Sequence, residues 1–273
     1  MPDPRRIESR NNPRLRQLRA AFARPTRAAE QIALEGFHLV EEALASSVAV
    51  QTLFVASGHE SLLDPLVIPA SVEILSVPAP LLASAVTTES PQPVAALFAP
   101  PRWPWSALLG TGTRPSGASP LLAVLAGVQD PGNLGTILRS AEAFGATGAI
   151  LLPGTVSPWN PKAMRASAGS VFRLPTLALS VDECFRHLAA AGIAAVAAMP
   201  RAENGVGLNT LLAPPIALLI GSEGSGIAPE IVARCQRQVT IPCPGPVESL
   251  NAAVAASILL YEASRATAPE RAR

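Results

Sequence analysis

The chain has 273 residues, 49% of them hydrophobic and 15% charged, with a formal net charge of +1. That length accommodates two modest domains with cores of their own, and the composition belongs to an ordinary globular protein rather than to a disordered or fibrous one. The longest apolar runs, LLAVLA and PIALLI, fall far short of the roughly 18 residues that a membrane span requires, and MPDPRRIESR lacks an apolar signal core, so a cytoplasmic protein without membrane attachment is expected.

Charge is unevenly placed. Between Met1 and Arg27 stand eight arginines (Arg5, Arg6, Arg10, Arg14, Arg16, Arg19, Arg24 and Arg27) against Asp3 and Glu8, a local surplus of six. Such an arm suits a polyanion such as nucleic acid, and a solvated basic helix face has the same composition; both readings stand at this point. From about Asn12 to Ala99 a helical pattern, AAEQIALEGFHLVEEALAS, with Ile32, Phe37, Val40 and Leu44 near helical spacing, alternates with the strand-like runs VQTLFVAS, VEILSV and VAALFA. This predicts a small α/β unit. The stretch from Ala99 to Pro120, APPRWPWSALLGTGTRPSGASP, is dense in Pro, Gly and Ser and marks a linker. The expected division is residues 1–105, a linker at 106–119, and a second unit at 120–273.

In the second unit the strand candidates LLAVLAGV, GAILLP, IAAVAAM, IALLIG and QVTIPC alternate with helical segments near Leu134–Phe144, Lys162–Val171, Val181–Ala191, Pro229–Cys235 and Leu250–Ala263. Alternation of this kind predicts a parallel sheet covered by helices on both faces. Gly145 and Pro229 stand at helix punctuation points, Ser249 is placed to cap the last helix, and Leu250, Val254, Ile258 and Tyr261 form an apolar stripe expected in the core.

Ligands of open α/β sheets bind beyond the carboxyl ends of the strands. Three loops there are rich in Gly or Pro: QDPGNLG, GSEGSG and PCPGPVESLN. They and the helix after the first supply Asn133, Arg139, Glu223, Ser249 and Asn251 as polar candidates. GSEGSGIAP fits no dinucleotide fingerprint and no GxxxxGK[ST] occurs, which argues against nucleotide folds of those types. Cys184, Cys235 and Cys243 are odd in number without CxxC spacing, and His38, His59 and His187 are scattered, so neither a disulfide framework nor a metal site is expected.

The segments NLGTILRSAEAFG, LLIGSEGSGI and IPCPGPVESLNAAVAASILLYE resemble the three ordered motifs of the SpoU/TrmH family of RNA ribose 2′-O-methyltransferases, within the SPOUT superfamily. NPKAMRASAGSVFRLP, from Asn160, resembles a further family segment, and NPRLRQLR with LEGFHLVEEAL resembles its RNA-binding extension, so the likeness covers nearly the whole chain. One departure is ESPQPVAALF, where similar proteins usually have Gly in place of Pro93. The resemblance implies a small N-terminal α/β RNA-binding domain and a C-terminal parallel-sheet SPOUT domain tied into a deep trefoil knot, a rare exception to unknotted topology. It further implies S-adenosylmethionine bound in the knot, mainly by backbone near Gly221, Ile241 and Leu250, a homodimer, and ribosomal or transfer RNA as substrate.

The residue roles implied are these. Arg139 activates the ribose hydroxyl. Since a guanidinium does not accept a proton at neutral pH, a bidentate grip on the adjacent phosphate together with stabilisation of the alkoxide stands as the alternative. Asn133 holds Arg139 or the ribose, Glu223 orients Asn133 or Arg139, and Ser249 and Asn251 line the site or cap the last helix. Arg5, Arg6, Arg10, Arg14 and Arg16 contact RNA, whereas Lys162 and Arg165 either contact RNA phosphates or belong to the solvated surface. The alternative function is a knotted RNA-binding or ribosome-assembly protein without turnover; the joint presence of the five polar residues favours the enzyme.

Overall fold

The computed structural model describes residues 4–23, 30–46, 48–88, 90–110, 119–200, 215–246 and 249–265; Arg24 and Arg27 of the basic arm lie outside them. The chain divides into two compact units, one of Met1–Arg102 with Ser157–Arg173, the other of Trp103–Val156 with Leu174–Arg273.

The first unit contains β1 (Arg5–Arg6), α1 (Pro13–Ala23), β2 (Ile32–Glu35), α2 (Phe37–Ala45), β3 (Ala49–Ala56), β4 (Glu73–Val77), α3 (Ala79–Ala83) and β5 (Val94–Ala99), and then, from the later segment, α5 (Pro161–Ser167) and α6 (Ser170–Arg173). Its mixed sheet has the order β1-β4-β3-β5-β2, with β5 antiparallel to both β2 and β3. One face packs Leu15, Leu18 and Phe22 of α1 and Leu81 and Leu82 of α3 against Phe54, Leu75 and Leu97. Successive strand side chains point to opposite faces, so Phe98 turns away from Leu97 and meets Trp159 and Phe172 edge-on at 5.7 and 5.5 Å. The segment after Val156 thus supplies aromatic cover to this sheet.

Two sequence expectations change here. Ile32 was expected at helical spacing with Phe37 and Val40, yet Ile32–Glu35 is a strand buried at all four positions. A run with both faces covered carries no alternation, and Gly36, at φ 103°, separates it from α2. The single helix expected over Lys162–Val171 is two: Ala168 (φ 47°) and Gly169 (φ 86°) break it. The break fits what lies opposite. A Cβ on Gly169 would come within 2.9 Å of the Cβ of Glu42, and the carboxylate of Glu42 receives Arg173 in an ion pair.

The second unit contains β6 (Leu121–Ala126), α4 (Pro131–Ala143), β7 (Gly148–Leu151), β8 (Thr176–Ala178), α7 (Val181–Ala190), β9 (Ala194–Ala198), β10 (Ile216–Gly221), α8 (Pro229–Val232), β11 (Arg237–Val239) and α9 (Ala252–Arg265). All neighbours in its six-stranded sheet, order β11-β9-β10-β6-β7-β8, pair in parallel. Phe185 and Leu188 of α7 and Ile231 of α8 share a core with Leu122, Val124, Ile150 and Leu219; α4 and α9 pack together, α9 on β10 and α4 on β7. Burial pushes the thiols of Cys184 and Cys235 up to about 12 and about 11, so both remain neutral packing groups. The strand β8 had no counterpart among the expected strands, because three residues with partly open faces leave no periodic signal.

The stripe expected in the core of the last helix is a correction. Val254 and Tyr261 are 48% and 46% exposed, and the buried face is formed by Ala252, Ala253, Ala256, Leu259, Leu260 and Ala263. This helix is apolar over most of its circumference, and its small side chains, not its largest, allow the close approach to α4 and β10.

Candidate active site

The polypeptide between β6 and α4 is shaped by Asp130. Its side chain accepts the backbone N–H of Asn133 at 2.8 Å and Pro131 occupies the first helical turn, a cap that contributes about 1 kcal/mol. Asn133 therefore sits in the first turn of α4 with its carboxamide free to reach outward, while Asp130 does the capping. Beyond β10 the chain folds into a tight hairpin in which Ser222 and Gly226 exchange backbone hydrogen bonds at 3.2 and 3.0 Å. Ser225 N–H donates to the Ser222 hydroxyl at 3.2 Å, and Glu223 lies at the exposed tip. Gly221 is required beneath it, since a Cβ there would stand 2.5 Å from the Gly226 carbonyl oxygen and 2.6 Å from the Ile227 nitrogen.

The last helix is capped by Asn251. Its Oδ1 accepts the N–H groups of Ala253 and Val254 at 2.9 and 3.3 Å. Ser249, expected in that role, is exposed and instead lines a cavity; the helix begins at Ala252, which puts Ser249 too early to cap it. The same Asn251 carboxamide donates from Nδ2 to Asn133 Oδ1 at 3.1 Å, and Asn133 Nδ2 in turn donates to the carboxylate of Glu223. Asn251 at the cap of α9, Asn133 in the first turn of α4 and Glu223 in the hairpin thus form one hydrogen-bonded line in which every donor points toward the single carboxylate.

Beside this line is a cavity of about 480 Å³. It lies beyond the carboxyl ends of β9, β10 and β11, next to the point where strand order reverses between β10 and β6, the place where open parallel sheets bind ligands. Gly221, Ile241 and Leu250 all line it, together with Glu223 and Ser249. Met199, Pro200 and Cys243 line it too and were not anticipated; Met199 and Pro200 directly follow β9, and applying the strand-end rule to IAAVAAM would have found them.

Arg139 stands apart. It is exposed on α4, six residues after Asn133 and so roughly 120° around the helix from it, and has no hydrogen-bond or ion-pair partner among the described residues. Lys162 and Arg165 are exposed, one turn apart on α5 of the first unit. In the basic arm, Arg5 and Arg14 share the carboxylate of Glu73 at 2.8 and 2.6 Å and Arg6 pairs with Glu8 at 3.1 Å, so part of the surplus is neutralised locally. Arg10 and Arg16 make no side-chain bond among the described residues, and Arg16 and Arg19 line a groove along α1 with Gln17. Also among the described residues, no cluster of three His, Cys, Asp or Glu side chains is arranged to hold a metal, and no helix is long and apolar enough to cross a membrane.

Comparison with known proteins places these features. Residues 120–261 match the SpoU rRNA Methylase family, and residues 12–96 match an MRM3-like substrate binding domain. The chain is 35% identical to an uncharacterized tRNA/rRNA methyltransferase of Synechocystis, over 95% of this chain and 93% of that protein. It is 31% identical to the 23S rRNA (guanosine(2553)-2′-O)-methyltransferase RlmP of Bacillus subtilis, over 94% and 98%. Among solved structures, an AdoMet-bound rRNA methyltransferase from Sinorhizobium meliloti superposes with a TM-score of 0.81 at 29% identity, covering 97% of this chain and 99% of that one. Matched across its catalytic half by the family and along nearly its full length by these relatives, the chain belongs to the SpoU rRNA methylase family.

Proposed function

We propose that the protein transfers a methyl group from S-adenosylmethionine to a ribose 2′-hydroxyl of a structured ribosomal or transfer RNA. The observation that carries this reading is the cavity at the ends of β9–β11 with the Asn251–Asn133–Glu223 line at its rim. The residues present fit the methyl donor: the walls combine apolar side chains with main chain at the ends of three strands, so peptide N–H and C=O groups are available to an adenosine, and Glu223 is the one charged side chain among the described lining residues. Gly221, Ile241 and Leu250 would hold it. When bound, S-adenosylmethionine supplies an electrophilic methyl group on a sulfonium. The chain's own part is to align the ribose oxygen and to stabilise the charge that develops on it. Glu223 fixes Asn133, Asn133 and Asn251 present a preoriented amide edge, and Arg139 contributes the cation, by gripping the phosphate or by stabilising the alkoxide.

Two finer features belong to the same reading. A deep trefoil knot is supported by the path of the chain: β11 is an edge strand, α9 packs on central β10 and on α4, and between them Ile241, Cys243, Ser249 and Leu250 line the cavity with Met199 and Gly221 at the ends of β9 and β10. A homodimer is supported by the exposed Val254 and Tyr261 of α9, on the helix that flanks the one bearing the exposed Arg139; sedimentation as a monomer alone at micromolar concentration would count against it.

The test incubates the protein with S-adenosylmethionine and RNA from cells lacking its gene, and maps new 2′-O-methyl marks. One or a few discrete marks are expected, along with a raised melting temperature in the presence of the methyl donor alone, because a ligand that binds only the native state stabilises it. RNA binding with neither marks nor stabilisation would establish the turnover-free reading instead.

The first unit is assigned to RNA affinity. Replacing Arg10, Arg16 and Arg19 together with Gln is expected to weaken RNA binding and to reduce the slope of log K against log salt by roughly 2 to 3, at about 0.7–0.9 for each phosphate no longer neutralised. Replacing the ion-paired Arg5 and Arg14 should change the slope less. An unchanged slope in the triple variant would remove the arm from the interface.

A further inference from the structure

The contact between α4 and α9 contains a second polar tie, two helical turns from the first. Ser140 and Ser257 bring their hydroxyl oxygens to 2.7 Å across the two helices. Ser257 spends its one proton on the carbonyl of Ala253, also at 2.7 Å, so the hydroxyl of Ser140 is the donor between the helices. Ala253 in turn donates its N–H to Asn251 Oδ1 at 2.9 Å, and Asn251 donates to Asn133 on α4. The hydrogen bonds close a circuit: out from α4 at Ser140, through Ser257, Ala253 and Asn251, and back to α4 at Asn133. Asn133 and Ser140 are seven residues apart, nearly two full turns, and so share a face.

The packing between these helices gives the circuit a purpose. The face that α9 buries is mostly alanine (Ala252, Ala253, Ala256 and Ala263) beside Leu259 and Leu260, and α4 buries Gly135 and Ala141 beside Leu134, Ile137 and Leu138. Small side chains let the two helices approach closely but offer few protruding groups to define one rotation, whereas a polar pair has one register in which it is satisfied. Rotation of α4 would carry Asn133 and Arg139, which it bears together, away from Asn251 and Glu223.

We propose that Ser257, acting through Ser140, is a positioning residue that fixes the rotation and register of α4 and thereby sets Asn133 and Arg139 for transfer. The proposal rests on the methyltransferase reading above. In an active wild type, Ser257→Ala and Ser140→Ala are each expected to lower kcat about ten-fold, since small misplacements of reacting groups are costly. KM for RNA and for S-adenosylmethionine should stay within about two-fold. The double variant should be no worse than either single one, as expected of residues acting as a unit, and Ser257→Thr, which retains the hydroxyl, should recover most of the rate. Unchanged turnover in Ser257→Ala overturns the proposal, and so does a loss that Ser257→Thr does not recover. A second readout is independent of turnover: the side-chain amide NMR signals of Asn133 and Asn251 should shift in Ser257→Ala, and unshifted signals overturn the proposal. Should the wild type transfer no methyl group, the functional reading fails by itself, and these signals still decide whether Ser257 controls the alignment of the two helices.

Discussion

Arg139→Ala is expected to leave the fold and the affinity for S-adenosylmethionine nearly intact while lowering turnover by roughly 10²–10⁴-fold, the scale of removing an acid–base or oxyanion interaction. The structure explains why stability and chemistry should separate here. Arg139 is exposed, lines no part of the cavity and has no partner among the described residues, so its removal leaves no buried group unsatisfied and no cavity wall missing. Arg139→Lys divides the two roles open to it. Lysine keeps the charge but loses the planar fork that grips a phosphate through two parallel bonds; a lysine variant as slow as the alanine one supports the bidentate grip, and near-normal turnover shows that charge alone suffices. An alanine variant that fails to bind S-adenosylmethionine would move Arg139 out of the chemistry altogether.

The other large effect is expected at Gly221→Ala. The added methyl would stand 2.5 Å from a carbonyl oxygen and 2.6 Å from a peptide nitrogen, both main-chain atoms of the returning arm of the hairpin, so the hairpin has to move as a body. Overpacking of this kind costs about 1–3 kcal/mol. Where the displaced hairpin is also the wall of the ligand cavity, that cost falls on the bound state, and affinity for S-adenosylmethionine should drop by up to roughly 100-fold. The measurement is the shift in melting temperature produced by the ligand, with Gly245→Ala as the control, since a methyl there meets nothing within 4 Å. Normal stabilisation of Gly221→Ala by the ligand would show that the hairpin is not part of its site.

How far these features could be read without coordinates depended on the kind of signal. The strands β6, β7, β9 and β10 are continuous apolar runs between helical stretches, a pattern that strand burial on both faces produces directly. The three loops were legible because Gly and Pro cluster where main chain turns sharply beside a ligand. By contrast, the face that α9 buries was misread: in a helix apolar nearly all round, side-chain size says nothing about direction, and the tight packing against α4 selected alanine over Val254 and Tyr261. Of the two residues expected as caps of α9, Asn251 takes the role and Ser249 does not; both are good capping residues, and only the start of the helix distinguishes them. The ion pairing of Arg5 and Arg14 to Glu73 was beyond reach, because β4 is brought to the arm by sheet order and not by proximity in sequence.

The aromatic neighbours of Phe98 bear on how the protein comes into being. Trp159 and Phe172, which cover Phe98, and Arg173, which meets Glu42, are made more than fifty residues after β5. On a ribosome that synthesises the chain from its N-terminus, the first sheet must wait without the aromatic partners of Phe98 while β6, α4 and β7 emerge. A fragment ending at residue 105 would be arrested at that stage, with Phe98 bare and Glu42 without its arginine, and should aggregate or bind chaperones instead of recognising RNA. Domain exchange between relatives would have to carry 157–173 along with the N-terminal half, because the units are interleaved in the gene even though each is compact in the folded chain.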